Sequence, residues 1–407
     1  MRFVLAGATL IDTGIADPAA WLVVGDSAIA AVGATAHGTG PVIDATGLLV
    51  VPGFIDLHTH GGGGFALHTT EPEEIVAYAA WVPRTGTTAF LINVVGVPDG
   101  LPERQLAAAA TAMTLARRGA EPLGIYLEGP YLNPKRRGAH HPSWLRAPDR
   151  TELSRLLAVS RGFLRVMTLA PELPGAEELV HLLVTHGVTV ALGHTDATYE
   201  QARRAFQAGA RLVTHCFNAM PPLLHRAPGP IGALVEVDHA VGELIADGHH
   251  VVPPAMRVLI RALGPQRTAI VTDAQPAAGL PTGTSFSFAG LPAHVDGQVA
   301  RLSDGTLAGS ILTMDQALRN LVSLVGVPLA DAVTMLATTP ARVAGVAERK
   351  GRLLPGYDAD FVVLNADLQV IATYCRGQLA HATAEWHDRL AAAGLRVSAS
   401  VDEEQAQ

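Results

Sequence analysis

The sequence predicts an α/β fold, namely a (β/α)8 TIM-type barrel with a small β-sandwich domain formed from both termini. First, the 407-residue chain is 49% hydrophobic and only 16% charged, so it can bury a core of this size. Second, from about residue 50, short apolar runs alternate with segments of helical periodicity, as in a parallel sheet covered by helices. Third, residues 1–48 and 351–382 share short alternating segments punctuated by glycine and aspartate. The two ends therefore predict a separate small β domain.

Eight apolar runs supply the predicted barrel strands. They lie at residues 49–58, 87–95, 123–128, 164–170, 188–194, 212–215, 243–247 and 268–273. Helical periodicity is found between them at residues 73–84, 102–118, 151–160, 176–186, 199–208 and 254–263. Eight strands of this kind favour closure into a barrel, and an open doubly wound sheet is the alternative.

We expect four segments along the chain. Residues 1–50 form the N-terminal part of the small β domain, and residues 51–345 form the catalytic barrel. Residues 346–385 form the C-terminal part of the small domain, and residues 386–407 form a helix and a tail that is mobile from Ser398. Residues 284–307 alternate around glycine and aspartate, which predicts a β-hairpin inserted into the barrel.

Charge and cysteine content exclude several classes of protein. The net charge is −8 without long like-charge runs, so binding to nucleic acid or an anionic membrane is disfavoured. No cleavable apolar leader and no run of ~18 apolar residues is found. The cysteines are Cys216 and Cys375. We therefore expect a soluble cytoplasmic protein without disulfides.

The chemistry is concentrated where the predicted strands end. Six candidate ligands or catalytic groups end five of the eight strands: His58, His60, Glu128, His194, His215 and Asp273. The carboxyl ends of barrel strands meet at one mouth, where active sites of this fold are built. Buried carboxylates need a cation or a partner, and histidine with carboxylate but no thiolate suits Zn²⁺ or a related first-row ion. Asp273, on strand eight, suits a general acid or base.

Each of these residues also has a purely structural interpretation. A single histidine at a strand end is more often hydrogen-bonded than metal-bound, Glu128 could precede an ordinary turn, and Asp273 could cap the next segment. Their coincidence at one mouth favours the metal site. The lysines are Lys135 and Lys350, neither of which ends a predicted strand. A carbamylated lysine bridging two metals is therefore excluded, and Glu128 is the substitute in view.

Several segments together resemble the amidohydrolase superfamily, and within it the N-acetylglucosamine-6-phosphate deacetylases. They are PGFIDLHTHGGGG (52–64), YLEGPYLNPKRRGAHHP (126–142), LGHTDATYEQA (192–202), THCFNAMPPLLHRAPG (214–229), IADGHHV (245–251), VTDA with the following Gly279 (271–279), LAGSILTM (307–314) and GRLLPGYDADFVVL (351–364). The first and last are shared by many amidohydrolases. The second and fourth are specific to the deacetylases.

The resemblance implies a role for each matching residue. Glu128, His194 and His215 match the principal metal ligands, and Asp273 matches the catalytic acid/base. His140 matches the residue that polarises the acetyl carbonyl and contacts substrate. The positions that hold the sugar phosphate are matched by Asn218, Ala219, Arg226 and His250, of which one or more reach across a dimer interface in the family. His58 and His60 stand where some members bind a second metal.

The implied function is hydrolysis of N-acetylglucosamine 6-phosphate to glucosamine 6-phosphate and acetate in amino-sugar catabolism, with one or two divalent ions, expected to be Zn²⁺. The implied assembly is a homodimer or a dimer-based oligomer. Two alternatives stay open. One is an amidohydrolase acting on N-acetylgalactosamine 6-phosphate, an N-acyl amino acid or a cyclic amide. The other is a non-catalytic sugar-phosphate sensor.

Overall fold

A computed structural model describes residues 2–13, 15–34, 38, 40–98, 100–115, 118–288 and 290–395. The predicted mobile tail from Ser398 lies outside these residues. The strands in chain order are β1 (Phe3–Asp12), β2 (Ile15–Gly25), β3 (Ala28–Gly33), β4 (Val42–Asp44), β5 (Leu49–Pro52), β6 (Phe54–Asp56), β7 (Gly61–Gly62), β8 (Phe65–Ala66), β9 (Thr87–Val95), β10 (Glu121–Glu128), β11 (Leu164–Leu169), β12 (Thr189–Leu192), β13 (Leu212–Val213), β14 (Val241–Ile245), β15 (Thr268–Val271), β16 (Ser285–Phe288), β17 (Leu291–Asp296), β18 (Val299–Leu302), β19 (Leu307–Ser310), β20 (Phe361–Leu364), β21 (Val370–Cys375) and β22 (Gln378–Ala382).

Helices alternate with the central strands. They are α1 (Pro72–Trp81), α2 (Glu103–Ala112), α3 (Arg150–Val159), α4 (Ala176–Thr185), α5 (Tyr199–Gln207), α6 (Gly229–Glu236), α7 (Pro253–Leu263), α8 (Met314–Asn320), α9 (Leu329–Val333), α10 (Thr339–Val343) and α11 (Ala384–Ala392). Local sequence explains several ends. Thr198 and Gln201 form a reciprocal capping box at the start of α5. The sequence predicts one helix over residues 73–84. In the structure α1 ends at Trp81, and the chain continues as a 3₁₀ turn that contains Pro83. The change occurs because proline lacks an N–H donor.

Eight parallel strands form the barrel, in the order β6-β9-β10-β11-β12-β13-β14-β15. The ends of β6 and β15 meet through two backbone hydrogen bonds. The Asp273 N–H donates to the His58 carbonyl at 2.8 Å, and the His60 N–H donates to the Ala274 carbonyl at 2.7 Å. The predicted barrel is confirmed, and the open doubly wound sheet is wrong.

The first predicted strand, residues 49–58, is divided in two. β5 pairs antiparallel with β20 in the small domain, whereas β6 pairs parallel with β9 in the barrel. Gly53 separates them, and a Cβ at this position would lie 2.1 Å from Thr88 Oγ1. The single long strand was therefore a wrong prediction, since the chain changes sheets at a glycine packed against β9.

The small domain is one sheet of both terminal segments, in the order β22-β21-β20-β5-β1-β2-β3, with β4 also paired to β1. Phe3 of β1 packs against Tyr374 of β21 with ring centroids 5.2 Å apart. Both residues belong to a buried apolar cluster that is separate from that of the barrel, so the small domain is a β-sheet domain with a core of its own. The domain limits at residues 50, 345 and 385 stay predictions.

The predicted hairpin 284–307 is larger than expected. β16, β17, β18 and β19 form a four-stranded antiparallel sheet. Its last strand returns to the barrel mouth, where the Ser310 N–H donates to the Asp273 carbonyl at 2.8 Å. The insertion thus lies beside the end of strand β15. Among the described residues, no helix combines the length and apolar character that crossing a bilayer requires.

Candidate active site

The strand-end residues converge on one cleft at the carboxyl end of the barrel. The cleft has a volume of about 270 Å³, and its lining includes the predicted residues His60, Glu128, His140, His194, His215, Asn218, Ala219, His250 and Asp273. His58 lies beneath them and is completely buried. Four of the residues have positive φ, namely 46° at His194, 25° at His215, 51° at Ala219 and 49° at Asp273. Such strain clusters at functional sites, where surrounding structure holds it.

Glu128, His194 and His215 form a buried group that could hold a metal ion. Glu128 Oε1 lies 2.9 Å from His194 Nε2 and 3.3 Å from His215 Nε2, and the two histidine nitrogens lie 3.0 Å apart. His194 Nδ1 donates to the Arg136 carbonyl at 2.8 Å. In the neutral ring, Nε2 of His194 therefore presents a lone pair to a carboxylate oxygen. Converging acceptors of this kind fit a divalent cation.

His58, His60 and Asp273 form a second such group. His60 Nε2 lies 3.1 Å from Asp273 Oδ1, and His58 Nε2 lies 3.8 Å from the same oxygen. Burial raises the pKa of Asp273, but the His60 hydrogen bond and the charge of His58 outweigh it and lower that pKa to about 2. Asp273 is therefore ionised at neutral pH and can accept a proton.

Glu128 connects the two groups. Its Oε1 faces His194 and His215, while its Oε2 lies 3.6 Å from His58 Nε2 and 3.5 Å from His60 Nε2. One carboxylate thus presents an oxygen to each candidate metal position. The lysines lie elsewhere: Lys135 is exposed beside Asp196, and Lys350 is buried against Asp360. Glu128 as the substitute for a bridging carbamate stays a prediction.

Two buried acidic residues were missed by the sequence analysis. Glu243 Oε2 lies 3.0 Å from His58 Nδ1 and accepts the His215 N–H at 3.2 Å. Asp247 Oδ2 lies 2.6 Å from His250 Nδ1. A signal did exist, because both carboxylates occur in or directly after an apolar run, where a charged side chain needs a buried partner.

His140 lies on the loop after β10 and is buried. Its Nε2 is 3.6 Å from Glu128 Oε2, and its ring contacts the His194 ring at 4.6 Å between centroids. The loop is tied down by the Asn133 N–H, which donates to the His194 carbonyl at 2.9 Å. His140 is thereby held in the cleft beside Glu128 and His194.

Part of the cleft lining suits an anion. Burial lowers the pKa of His250, but its hydrogen bond to Asp247 outweighs burial and raises that pKa. Asn218 and Ala219 also line the cleft, after strand β13. Arg226 follows on this loop but is exposed and does not line the cleft within one chain. Three of the four predicted phosphate contacts are therefore brought together, and Arg226 stays a prediction.

A family model described as "Amidohydrolase family" matches residues 49–380, a span that includes every strand of the barrel. The chain belongs to the amidohydrolase family. This amidohydrolase is 41% identical over 332 residues to N-acetylgalactosamine-6-phosphate deacetylase of Escherichia coli O157:H7, covering 82% of this chain and 88% of that protein. It is 36% identical over 340 residues to N-acetylglucosamine-6-phosphate deacetylase of Bacillus subtilis, covering 83% and 86%.

Solved structures agree over more of the amidohydrolase chain. A mutant N-acetyl-D-glucosamine-6-phosphate deacetylase from Mycobacterium smegmatis, in complex with N-acetyl-D-glucosamine-6-phosphate, superposes with a TM-score of 0.87 at 36% identity, covering 94% of this chain and all of that one. N-acetylglucosamine-6-phosphate deacetylase from Pasteurella multocida gives a TM-score of 0.88 at 29% identity, again covering 94% and 100%. The likeness therefore extends beyond the barrel to the small domain.

Proposed function

We propose that this amidohydrolase removes the acetyl group from N-acetylglucosamine 6-phosphate, giving glucosamine 6-phosphate and acetate in amino-sugar catabolism. The observation that carries the proposal is a single cleft lined by two sets of groups. In the first set, Glu128 and its histidines lie beside the ionised Asp273. In the second set, His250 and the backbone N–H of Ala219 offer donors to a phosphate. Related deacetylases of 6-phosphorylated amino sugars support this substrate class.

The residues of the first group would hold the ion, with Zn²⁺ the choice favoured by two imidazoles and a carboxylate. When bound, such an ion acidifies water and polarises a carbonyl. The second group, His58 and His60 with Asp273, would hold a second ion.

The protein's own groups perform the proton transfers. Asp273 takes a proton from the attacking water as the new C–O bond forms to the acetyl carbon. His140 donates a hydrogen bond to the carbonyl oxygen, on which negative charge accumulates. Asp273 then delivers its proton to the leaving nitrogen as the C–N bond breaks, which yields the free amine and acetate.

We further propose that the working unit is a homodimer in which Arg226 of one protomer completes the phosphate site of the other. Its exposure and its position outside the cleft of its own chain support this arrangement. We also place the protein in the cytoplasm, a proposal supported by the unpaired, buried state of Cys216 and Cys375.

N-acetylgalactosamine 6-phosphate is the second candidate substrate, favoured by the 41% identical relative. Acetate release should be measured for both 6-phosphates, for unphosphorylated N-acetylglucosamine and for an N-acetyl amino acid, with and without a chelator. We expect turnover of at least one hexosamine 6-phosphate that is at least about tenfold more efficient than that of the unphosphorylated sugar. Tight binding without acetate release would instead favour the sensor, and faster turnover of the amino acid would exclude the proposed substrate.

A further inference from the structure

Three buried hydroxyl groups meet inside the barrel and are not used by the proposed chemistry. Tyr126 Oη lies 2.9 Å from Thr168 Oγ1 and 3.1 Å from Thr214 Oγ1, and the two threonine oxygens lie 2.8 Å apart. All three residues are completely buried. A hydroxyl both donates and accepts, so each can donate to the next around the triangle. This hydroxyl triad therefore satisfies its polar atoms from protein groups alone.

The hydroxyl triad joins strands that carry the first metal group. Tyr126 lies on β10 two residues before Glu128, so the two side chains point to the same face of the strand. Thr168, on β11, is the register partner of Glu128. Thr214 directly precedes His215, after β13. The triad thus connects the strand ends that present Glu128 and His215.

The remaining member of the first group, His194, directly follows Gly193. Gly193 comes after β12, which lies between β11 and β13 in the barrel. A Cβ at Gly193 would lie 2.8 Å from Thr214 Oγ1 and 2.9 Å from Thr168 Cγ2. The φ of Gly193 is not positive, so backbone freedom does not explain the glycine. Its missing side chain instead lets the two threonines meet in front of β12, against the backbone that leads into His194.

The phenol ring of Tyr126 has a separate contact. Its centroid lies 4.8 Å from the centroid of the His58 ring. Phenylalanine at position 126 would keep this aromatic contact and lose only the hydroxyl. Tyr126→Phe therefore separates the hydroxyl triad from the packing of the ring.

A metal site built from three strands depends on how well the strand ends are held together. Glu128 Oε1 and the Nε2 atoms of His194 and His215 lie 2.9–3.3 Å from one another. A zinc ion binds such atoms at about 2.0–2.2 Å, so a small shift of one strand changes the fit. Functional groups of this kind need support to within about 0.5 Å. The hydroxyl triad supplies side-chain bonds between the strands exactly where the ligands begin.

We propose that Tyr126, Thr168 and Thr214 are positioning residues, which fix the spacing of the strand ends and thereby raise the affinity of the first group for a divalent ion. The inference rests on the proposed function, because it takes Glu128, His194 and His215 as the ligands. The three hydroxyls act through the strands and not as ligands themselves.

The test measures the affinity of the first group for Zn²⁺. The background is His60→Ala, which removes a member of the second group, and Zn²⁺ is added to the metal-free protein in competition with a chromophoric chelator. Tyr126→Phe should weaken Zn²⁺ binding at least about tenfold, as is typical when a group that supports a ligand is lost. Thr168→Val removes a second hydroxyl of the triad and should weaken binding similarly. Thr168→Ser keeps that hydroxyl and should bind Zn²⁺ as the background does.

Tyr374→Phe in the same background is the matched control. Tyr374 is buried in the small domain, and its hydroxyl accepts the Trp386 Nε1–H at 3.0 Å. This variant also loses one buried phenol hydroxyl, but outside the barrel, so its affinity for Zn²⁺ should not change. Chemical denaturation of each metal-free variant shows that it is folded and separates lost stability from lost affinity.

Two outcomes overturn the inference and differ in what else they remove. If the background binds Zn²⁺ but Tyr126→Phe and Thr168→Val bind it equally well, or if Tyr374→Phe weakens binding as much as they do, the triad has no positioning role and the proposed function stands. If the background binds no Zn²⁺, the proposed metal site fails and the inference with it. Should Tyr126→Phe not fold, the comparison of Thr168→Val with Thr168→Ser decides.

Discussion

The carboxylate of Glu243 lies 3.0 Å from His58 Nδ1, and both side chains are completely buried. The same oxygen accepts the backbone N–H of His215 at 3.2 Å. This carboxylate on the seventh barrel strand thus orients His58, a candidate ligand after the first strand. It also holds the backbone of His215, a candidate ligand after the sixth strand. It leaves Nε2 of His58 directed toward Glu128 and Asp273. Carboxylates that hold a ligating histidine in this way set its tautomer and its affinity for metal.

Glu243→Ala should therefore weaken the second metal position more than the first, because Glu243 contacts the His58 ring directly but His215 only through its backbone N–H. We expect two ions per chain in the wild type under excess Zn²⁺ and one in the variant, which corresponds to the 10–100-fold loss of affinity typical of such changes. Elemental analysis after desalting provides the measurement. Glu348→Ala, at an exposed position, is the control. Two retained ions in Glu243→Ala would remove the positioning role of Glu243.

Asp273→Asn should lower kcat by about 10²–10⁴, the usual contribution of one general acid/base. The pKa near 2 keeps the wild-type carboxylate ionised at neutral pH, whereas asparagine cannot accept the proton from water. The ion held by Glu128, His194 and His215 should remain, because Asp273 belongs to the other group. Steady-state kinetics and metal content should be measured on the same preparation. Near-normal turnover would exclude Asp273 from the proton transfers.

Arg226→Ala should cut kcat/KM for the 6-phosphorylated substrate by at least about tenfold and barely change the rate on the unphosphorylated sugar. Arg226 is expected to contact only the phosphate group, so its removal should matter only for a substrate that carries a phosphate. Equal losses on the two substrates would show that Arg226 has a structural role.

Mixing two impaired variants tests whether Arg226 acts across a dimer. In a mixed dimer of Arg226→Ala and Asp273→Asn, the chain that retains Asp273 receives Arg226 from its partner, so one site is complete. Random exchange at equal amounts should restore about a quarter of the wild-type sites, because about half of the dimers are mixed. The readout is acetate release after subunit exchange. If Arg226 serves its own chain, mixing restores nothing.

Glu121→Gln should destabilise the junction between the barrel and the small domain. Glu121 Oε1 lies 2.6 Å from Arg349 Nη2, and its Oε2 lies 2.9 Å from Lys350 Nζ. Burial raises the pKa of Glu121, but Arg349 and Lys350 outweigh it and lower that pKa from 4.5 to about 2. Its contribution to stability is thus present above about pH 4.5 and lost as the pH falls toward 2.

At pH 7 we expect the free energy of unfolding of Glu121→Gln to be lower than that of the wild type by about 2–3 kcal/mol. The difference should shrink as the pH falls from about 4.5 to 2, because the wild type loses the same interaction. Chemical denaturation of metal-free protein across this pH range provides the measurement, with Glu348→Gln as the control. A pH-independent difference would assign the effect to packing and not to charge.

The sequence was enough to predict the barrel, the terminal β domain and most of the cleft, because periodicity and strand-end position depend on local residues. His60 and Glu128, for example, both line the cleft at the predicted mouth. The division of the strand at Gly53 was not predictable, since it depends on the approach of Thr88 from another strand. Glu243 was missed for a similar reason: its partner His58 is 185 positions away in the chain.

The central claim is that hydrolysis depends on an ion held by Glu128, His194 and His215. The direct test is to add Zn²⁺ stepwise to the metal-free enzyme. Bound metal and acetate release from N-acetylglucosamine 6-phosphate are recorded at each step. We expect no measurable turnover without metal, with activity rising as the ion binds this group. His194→Ala should neither retain the ion nor gain activity. Full turnover by the metal-free enzyme, or metal retention with normal activity in His194→Ala, would contradict the proposed site.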